Sequence, residues 1–241
     1  MTKTAVYTGS QNIYDDMVVS AKSLIANSDV DKVYFLIEDD AFPYELCDLI
    51  ETINVSNQTY YPKDGPNMKT RFTYFAMMRA ALAKVFPNHD KILSLDCDTI
   101  CVKSVSELWN FPIDDYYFAA SKEPHRSVAG MLYTNVGVAL MNLNKLRETK
   151  KVDECIDVLN RQKYDYVDQD VMNYLCQGYI YDLPSAYNTN DWTFPNSQPR
   201  ILHFAGIKRD SWHRHPQAEK YNNLSWGEIM SMREQTLLYP E

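Results

Sequence analysis

The chain has 241 residues, of which 45% are hydrophobic and 23% charged, enough for one hydrophobic core or for one core with a small subdomain. A formal net charge of -8 and the lack of a lysine- and arginine-rich run argue against nucleic acid or an anionic membrane as the main partner. The sequence shows no signal peptide and no apolar stretch near the roughly 18 residues of a transmembrane segment. Five cysteines without a Cys-x-x-Cys pair indicate reduced thiols. We therefore expect one globular domain in the cytoplasm, with its oligomeric state left open.

The first part of the chain alternates between strand and helix patterns. The predicted elements are strand 4–7, helix 15–27, strand 33–37, helix 44–51 and strand 53–55. This alternation is typical of the nucleotide-binding half of an α/β fold. The loop at residues 8–14 would open at the carboxyl end of the first strand, where such sheets hold ligands.

A further helix is predicted at residues 69–86, and Arg79 falls in the middle of its apolar stripe. A cation on a buried face needs an anion. Arg79 is either a snorkelling or structural salt-bridge residue, or it lies beside metal-binding carboxylates or donor phosphates. The polar loop before this helix, residues 57–66, is either one wall of a site or an ordinary surface loop.

The run at residues 92–95 is apolar on both faces, which predicts a strand inside a covered parallel sheet. Asp96 and Asp98 follow it directly and would lie at its carboxyl end. Carboxylate oxygens suit a hard cation, and a cation held by only two carboxylates keeps positions open for substrate phosphates. The pattern therefore predicts a divalent metal site.

The second part of the chain carries four further polar positions of interest. The predicted elements are helix 105–109, strands 116–120 and 131–143, helices 144–161 and 168–176, strand 200–206 and a helical tail from residue 213. Asn135 interrupts its apolar strand and indicates a side chain aimed at something polar. Asp168 and Asp170 begin a helix, where they serve either as caps or in a site. His203 ends the last strand, and a lone strand histidine is usually a core residue.

Taken together and in this order, these segments resemble glycosyltransferase family 8, which includes glycogenin and bacterial lipooligosaccharide galactosyltransferases. The matching positions are Arg79, Leu95-Asp96-Cys97-Asp98, Asn135-Val136-Gly137-Val138, Asp168-Gln169-Asp170 and His203-Phe204-Ala205-Gly206. The resemblance implies a single-domain α/β, Rossmann-like fold of the nucleotide-sugar transferase A type with a mixed central sheet. It also implies a nucleotide diphosphate sugar donor, usually UDP-linked, manganese or magnesium as cofactor, and retention of the anomeric configuration. The acceptor is not specified.

The resemblance further assigns roles to individual residues. The implied metal ligands are Asp96, Asp98 and His203, and the implied catalytic residues are Gln169, Asp168 and Arg79. The implied donor-binding residues are Thr8, Asn12, Tyr14, Arg79, Asp96, Cys97, Asn135, Gly137, Asp168, Gly206, Lys208 and Arg209. Residues 1–102 would form the nucleotide-binding half, 103–212 the donor-sugar and acceptor half, and 213–241 a peripheral helical tail. Whether Gln169 attacks covalently stays open.

The sequence departs from the family pattern in two places. The first loop lacks the usual aspartate, which weakens the expectation of uracil recognition more than that of diphosphate recognition. The family lysine follows its glycine by three residues, whereas here Lys208 follows Gly206 by two and Arg209 by three. We expect Lys208 to hold the diphosphate, with Arg209 as the alternative.

Two other functions are compatible with the same segments. A catalytically silent module would bind the sugar nucleotide and metal without turnover. A metal-dependent phosphotransferase of haloacid dehalogenase type also has an apolar strand that ends in Asp-x-Asp. Its threonine stands four residues after the first aspartate, whereas Thr99 stands three after Asp96.

Overall fold

The computed structural model describes residues 2–70 and 72–239. The strands are β1 Thr4–Thr8, β2 Lys32–Ile37, β3 Ile50–Asn54, β4 Lys91–Leu95, β5 Thr99–Cys101, β6 Phe118–Val128, β7 Met131–Asn142, β8 Ile180–Asp182 and β9 Ile201–His203. The helices are α1 Tyr14–Ala26, α2 Thr73–Val85, α3 Leu143–Glu148, α4 Lys151–Arg161, α5 Val167–Leu175, α6 Arg209–Trp212, α7 Pro216–Asn223 and α8 Trp226–Leu238, with short 3-10 helices at Gln11–Ile13, Ser106–Asn110 and Ser185–Tyr187.

Seven strands form one sheet in the order β3-β2-β1-β4-β7-β6-β8, and β5 pairs with β9 in a separate two-stranded sheet. In the large sheet, β7 runs antiparallel to both of its neighbours, β4 and β6. The other pairings are parallel. The prediction of an α/β fold with a mixed central sheet is confirmed.

Helices cover both faces of the large sheet, as the side-chain alternation of β1 shows. Ala5 and Tyr7 join a core with α1, whereas Val6 points to the other face and joins a core with α2, α4 and α5. Because both faces of β1 and β4 are covered, most residues of these strands are apolar. Within the described residues, no helix combines the length and apolarity needed to cross a bilayer.

The predicted helix at 44–51 is wrong, because residues 38–49 form turns and bends that lead into β3. An isolated helix this short is marginal, and tertiary contacts decide the conformation instead. The ring of Phe42 packs 4.8 Å from that of Tyr14, and the indole of Trp226 donates to the carbonyl of Glu45 at 2.8 Å. The ring of Phe42 and the backbone carbonyl of Glu45 therefore contact residues from distant parts of the chain.

The predicted helix at 144–161 is two helices, α3 and α4. Lys150 lies between them with a left-handed φ of 58°. This residue ends α3 and redirects the chain so that α4 packs against both α2 and α5. The predicted strand at 116–120 is longer than expected, because β6 continues to Val128 as one arm of a hairpin with β7.

Candidate active site

A cavity of about 490 Å³ opens at the carboxyl ends of β1 and β4. The predicted site residues that line it are Thr8, Asn12, Arg79, Asp96, Cys97, Asp98, Asp168, Gln169 and Arg209. They come from the end of β1 and the loop that follows it, from α2, from the loop after β4, from the start of α5 and from α6. The fold thus collects side chains from five separate segments at one edge of the sheet.

The two aspartates after β4 meet a histidine from β9. The Nε2 atom of His203 lies 3.5 Å from Asp96 Oδ2 and 3.3 Å from Asp98 Oδ1. Pairing of β5 with β9 places Thr99 opposite His203 and so carries the histidine to the end of β4. One ligand atom from each of the three residues lies within 4.8 Å of the others, a grouping that can hold a metal ion.

The lack of a side chain at Gly137 makes room for this group. A β-carbon at that position would lie 2.1 Å from Cε1 of His203 and 2.8 Å from Oδ2 of Asp96. The backbone of Gly137 also accepts a hydrogen bond from the amide of Asp96 at 2.7 Å. Gly137 therefore does not line the cavity but permits the close approach of two residues that form the metal-binding group.

The charges within the group shift the pKa values of its members. Burial favours the neutral form of His203, but the nearby Asp98 and the hydrogen bonds to both aspartates raise its pKa to about 10. Burial would raise the pKa of Asp96, but attraction to Arg79 and a hydrogen bond from His203 hold it below its ordinary value. The two carboxylates of the group thus strongly favour positive charge beside them.

Arg79 is buried, with 6% of its surface exposed, and its guanidinium bridges two carboxylates. It donates to Oδ2 of Asp168 at 2.7 Å, forms an ion pair with Asp96, and donates through Nε to Ser94 Oγ at 3.1 Å. Burial raises the pKa of Asp168 to about 6, although Arg79 opposes the shift. The arginine thus lies beside the acidic residues of the cavity.

In the Asp168-Gln169-Asp170 segment, the first two residues line the cavity and the third does not. Gln169 lines the cavity, and its Oε1 accepts from the amide of Val136 at 3.1 Å. Asp170 does not line it: Oδ2 accepts from the amide of Tyr166 at 2.8 Å, next to the start of α5. Asp170 is therefore bound by the backbone at the start of α5 and by the hydroxyl of Tyr133, which donates to its Oδ1 at 2.6 Å, whereas Asp168 faces the cavity.

Two residues with implied donor-binding roles are tied to other groups. Tyr14 is buried, donates from its hydroxyl to Asp39 at 2.7 Å and accepts from the amide of Glu38 at 3.1 Å. Asn135 is buried behind the metal-binding group, where it donates to Glu123 Oε1 at 3.1 Å. Neither side chain lines the cavity.

The segment after β9 brings one cation into the cavity. Gly206 turns the chain with φ of 75°, Lys208 is exposed and lies outside the cavity, and Arg209 lines it. Nε of Arg209 donates to both oxygens of Asp16, at 2.9 and 3.1 Å, and the guanidinium also pairs with Asp15. This placement favours Arg209 over Lys208, against the choice made from the sequence.

The sequence did not single out three buried polar residues near the site. Asp16 lines the cavity and accepts from Arg209 and from His213 Nε2, and burial raises its pKa. Glu123 is 3% exposed, and Asn188 is fully buried beside His203. In the sequence, Asp16 is an acid near a helix N-terminus, Glu123 is a strand residue and Asn188 is a loop residue. Only their contacts with distant residues show that they belong near the site.

Comparisons of the sequence with known proteins give matches of one kind. The family model described as Glycosyl transferase family 8 matches residues 5–215. A putative glycosyltransferase of Haemophilus influenzae is 32% identical over 123 residues, which cover 46% of this chain and 37% of that relative. A lipopolysaccharide 1,2-glucosyltransferase of Escherichia coli is 26% identical, over 84% of this chain and 70% of that protein. The matched segment thus spans little more than a third of the Haemophilus relative's length.

The fold also matches a solved structure. The glycosyltransferase GlyE of Streptococcus pneumoniae superposes with a TM-score of 0.73 at 21% identity, over 100% of this chain and 65% of GlyE. The predicted fold of the nucleotide-sugar transferase A type is confirmed.

Proposed function

The chain belongs to glycosyltransferase family 8, and on that premise we propose that it transfers a hexose from a nucleoside diphosphate sugar to an acceptor. The donor is UDP-glucose or UDP-galactose, the anomeric configuration is retained, and a divalent metal ion is required. A relative named as a lipopolysaccharide 1,2-glucosyltransferase supports the choice of a hexose. The described chain acts as one catalytic domain.

The charge balance of the cavity is the observation that carries the proposal. Its described lining contains four carboxylates and two guanidinium groups. The carboxylates belong to Asp16, Asp96, Asp98 and Asp168, and the guanidinium groups to Arg79 and Arg209. An anionic diphosphate would be repelled by this excess of negative charge unless a cation entered with it.

The residues present fit such a cation. Asp96 and Asp98 supply carboxylate oxygens, His203 supplies a ring nitrogen, and Gly137 leaves space for the three to converge. Mixed carboxylate and imidazole ligands suit manganese, and magnesium is the alternative. When bound, the ion would neutralise charge on the departing diphosphate.

The residues at the start of α5 are suited to the sugar. As the bond to the diphosphate breaks, positive charge develops on the sugar ring, and a fixed carboxylate or amide oxygen nearby stabilises it. Arg79 fixes Asp168, and the amide of Val136 fixes Gln169. Both side chains are therefore held in place before the donor binds.

Arg209 is the candidate for the cation that faces the diphosphate. Its planar group can bind two phosphate oxygens at once, and Asp15 and Asp16 hold it at the cavity. The leaving diphosphate gains negative charge in the transition state, so a fixed cation there should increase turnover more than ground-state affinity.

The test is a screen of UDP-glucose, UDP-galactose and other nucleotide sugars with manganese, magnesium or chelator, with released nucleoside diphosphate as the readout. Asp98→Asn should abolish turnover and metal-dependent UDP binding in calorimetry, while circular dichroism stays unchanged. Equal UDP affinity with and without manganese would refute the metal assignment. Binding of UDP and metal with no release of diphosphate, even by hydrolysis, would favour the silent module.

A further inference from the structure

The ring of His203 has two nitrogens, and only one faces the metal-binding aspartates. Nε2 lies 3.5 and 3.3 Å from the carboxylate oxygens of Asp96 and Asp98. Nδ1 lies 2.8 Å from Oδ1 of Asn188, a residue with none of its surface exposed. A histidine can bind a metal through Nε2 only if its remaining proton is on Nδ1, so the partner of Nδ1 matters.

The orientation of the Asn188 amide is fixed by its other contacts. Its Nδ2 lies 3.1 Å from the backbone carbonyl of Asn135 and 3.0 Å from the side-chain oxygen of the same residue. A backbone carbonyl only accepts hydrogen bonds, so the atom that faces it must be the NH2 group. The oxygen of Asn188 therefore faces His203, and Nδ1 of the histidine must be the donor.

A second amide near the ring would favour the opposite tautomer, and its geometry is weaker. Nδ2 of Asn190 lies 3.4 Å from Nδ1 of His203 and could only donate to it. The same Nδ2 has a nearer acceptor in Oδ1 of Asn188, at 2.9 Å. A contact of 2.8 Å is much the stronger hydrogen bond. The acceptor oxygen of Asn188 therefore determines that Nδ1 of His203 carries a proton.

We propose that Asn188 is a positioning residue whose side-chain oxygen holds the Nδ1 proton of His203, so that Nε2 is the ring nitrogen that releases its proton and binds the metal ion. This inference rests on the proposed function, since it assigns a role at the same metal site. The chain of amides continues through Asn135 to Glu123, whose Oε1 accepts at 3.1 Å. The buried carboxylate at its end orients both amides toward the histidine.

Two substitutions separate the acceptor atom from the rest of the side chain. Asn188→Ala removes the acceptor, whereas Asn188→Asp keeps an oxygen facing Nδ1. The second oxygen of the aspartate faces the two acceptor oxygens of Asn135, which keep it protonated as a donor. Asn67→Ala is the matched control, because Asn67 is also a buried amide that bonds to backbone carbonyls, those of Leu159 and Gln162. Manganese affinity of the nucleotide-free protein is measured by electron paramagnetic resonance of the free ion.

Asn188→Ala should weaken manganese binding about ten- to a hundredfold, as removal of a partner of a metal-binding histidine does. Asn188→Asp and Asn67→Ala should stay close to wild type. Undiminished affinity in Asn188→Ala overturns the inference, and so does equal weakening in both Asn188 variants or in the Asn67 control.

A second measurement does not depend on the metal. With 15N-labelled histidine, the Nδ1–H proton of His203 should give an exchange-protected signal in the metal-free wild type and in Asn188→Asp, and the signal should disappear in Asn188→Ala. A wild-type protein that shows this signal but binds no manganese would refute the proposed metal site and leave the assignment of the Nδ1 proton supported. A wild-type protein that binds manganese without the signal would refute the role of Asn188 alone.

Discussion

Replacing Arg79 by leucine should destabilise the protein, because the buried carboxylate of Asp168 would lose its partner. Arg79 is 6% exposed and Asp168 is 3% exposed, and the guanidinium donates to that carboxylate at 2.7 Å. Leucine would fit the apolar face of α2, but Asp168 would then be buried without its counterion. Removing one partner of a buried ion pair lowers stability by about 3–5 kcal/mol. This is a large part of the free energy of unfolding of a typical domain, which is roughly 5–15 kcal/mol.

The free energy of unfolding that Arg79→Leu loses should be smaller at low pH than at high pH. Burial already raises the pKa of Asp168 to about 6, and removal of Arg79 raises it further. An acid whose native pKa is raised stabilises the fold below its unfolded pKa of about 3.9, and this contribution is lost as pH rises through the native pKa. Between the two pKa values the free energy of unfolding falls by about 1.4 kcal/mol per pH unit. Arg79→Leu should therefore be closer to wild type in acidic than in alkaline buffer.

Urea denaturation at about pH 5 and about pH 8 measures both effects. The double variant Arg79→Leu with Asp168→Asn removes the more deeply buried of the two carboxylates that lose their partner and should recover part of the stability. Arg233→Leu is the matched control, because Arg233 donates to the backbone carbonyls of Ser28 and Val30, at 2.6 and 2.7 Å. Its loss should not vary with pH. The reasoning is refuted if Arg79→Leu loses the same free energy at both pH values and the double variant recovers none of it.

Three further predictions concern other parts of the site. Gly137→Ala places a methyl group 2.1 Å from Cε1 of His203 and should weaken manganese binding in calorimetry by roughly tenfold or more; unchanged affinity would contradict this. Burial raises the pKa of Glu123, so the contribution of this carboxyl group to stability is lost as pH rises through the raised pKa. Glu123→Gln should therefore make the free energy of unfolding, measured by urea denaturation, fall less steeply with pH. An unchanged dependence on pH would contradict this prediction. Arg209→Ala should lower kcat about ten- to a thousandfold with a smaller change in KM, whereas Lys208→Ala should resemble wild type; the reverse result would identify Lys208 as the diphosphate ligand.

The elements that could be predicted from the sequence are those whose own residues determine them. The strands before Asp96 and the helix around Arg79 follow from apolar patterns that agree with the conformation adopted. The helix expected at 44–51 failed because the partners of that segment lie far away in the chain. Local periodicity carries no information about an indole 181 residues distant that donates to a loop carbonyl.

The metal-binding group shows the same division within one site. Asp96 and Asp98 could be inferred from their position after a buried strand, which is a local property. His203 lies more than a hundred residues later and reaches them only because β5 pairs with β9. By itself it looked like a core histidine, and the family resemblance, not its own surroundings in the sequence, suggested a ligand.

Asn188 lies beyond what either kind of reasoning could provide. Its role depends on the direction in which its amide points, and that direction is set by the backbone carbonyl of Asn135, 53 residues earlier. An asparagine in a loop is most simply explained as a turn residue. Its burial, two hydrogen bonds toward Asn135 and one short contact to the ring nitrogen of His203 together give it a chemical role. Because the ligand histidine needs its lone pair on one particular nitrogen, the residue that binds the other nitrogen is as much a part of the metal site as the two aspartates.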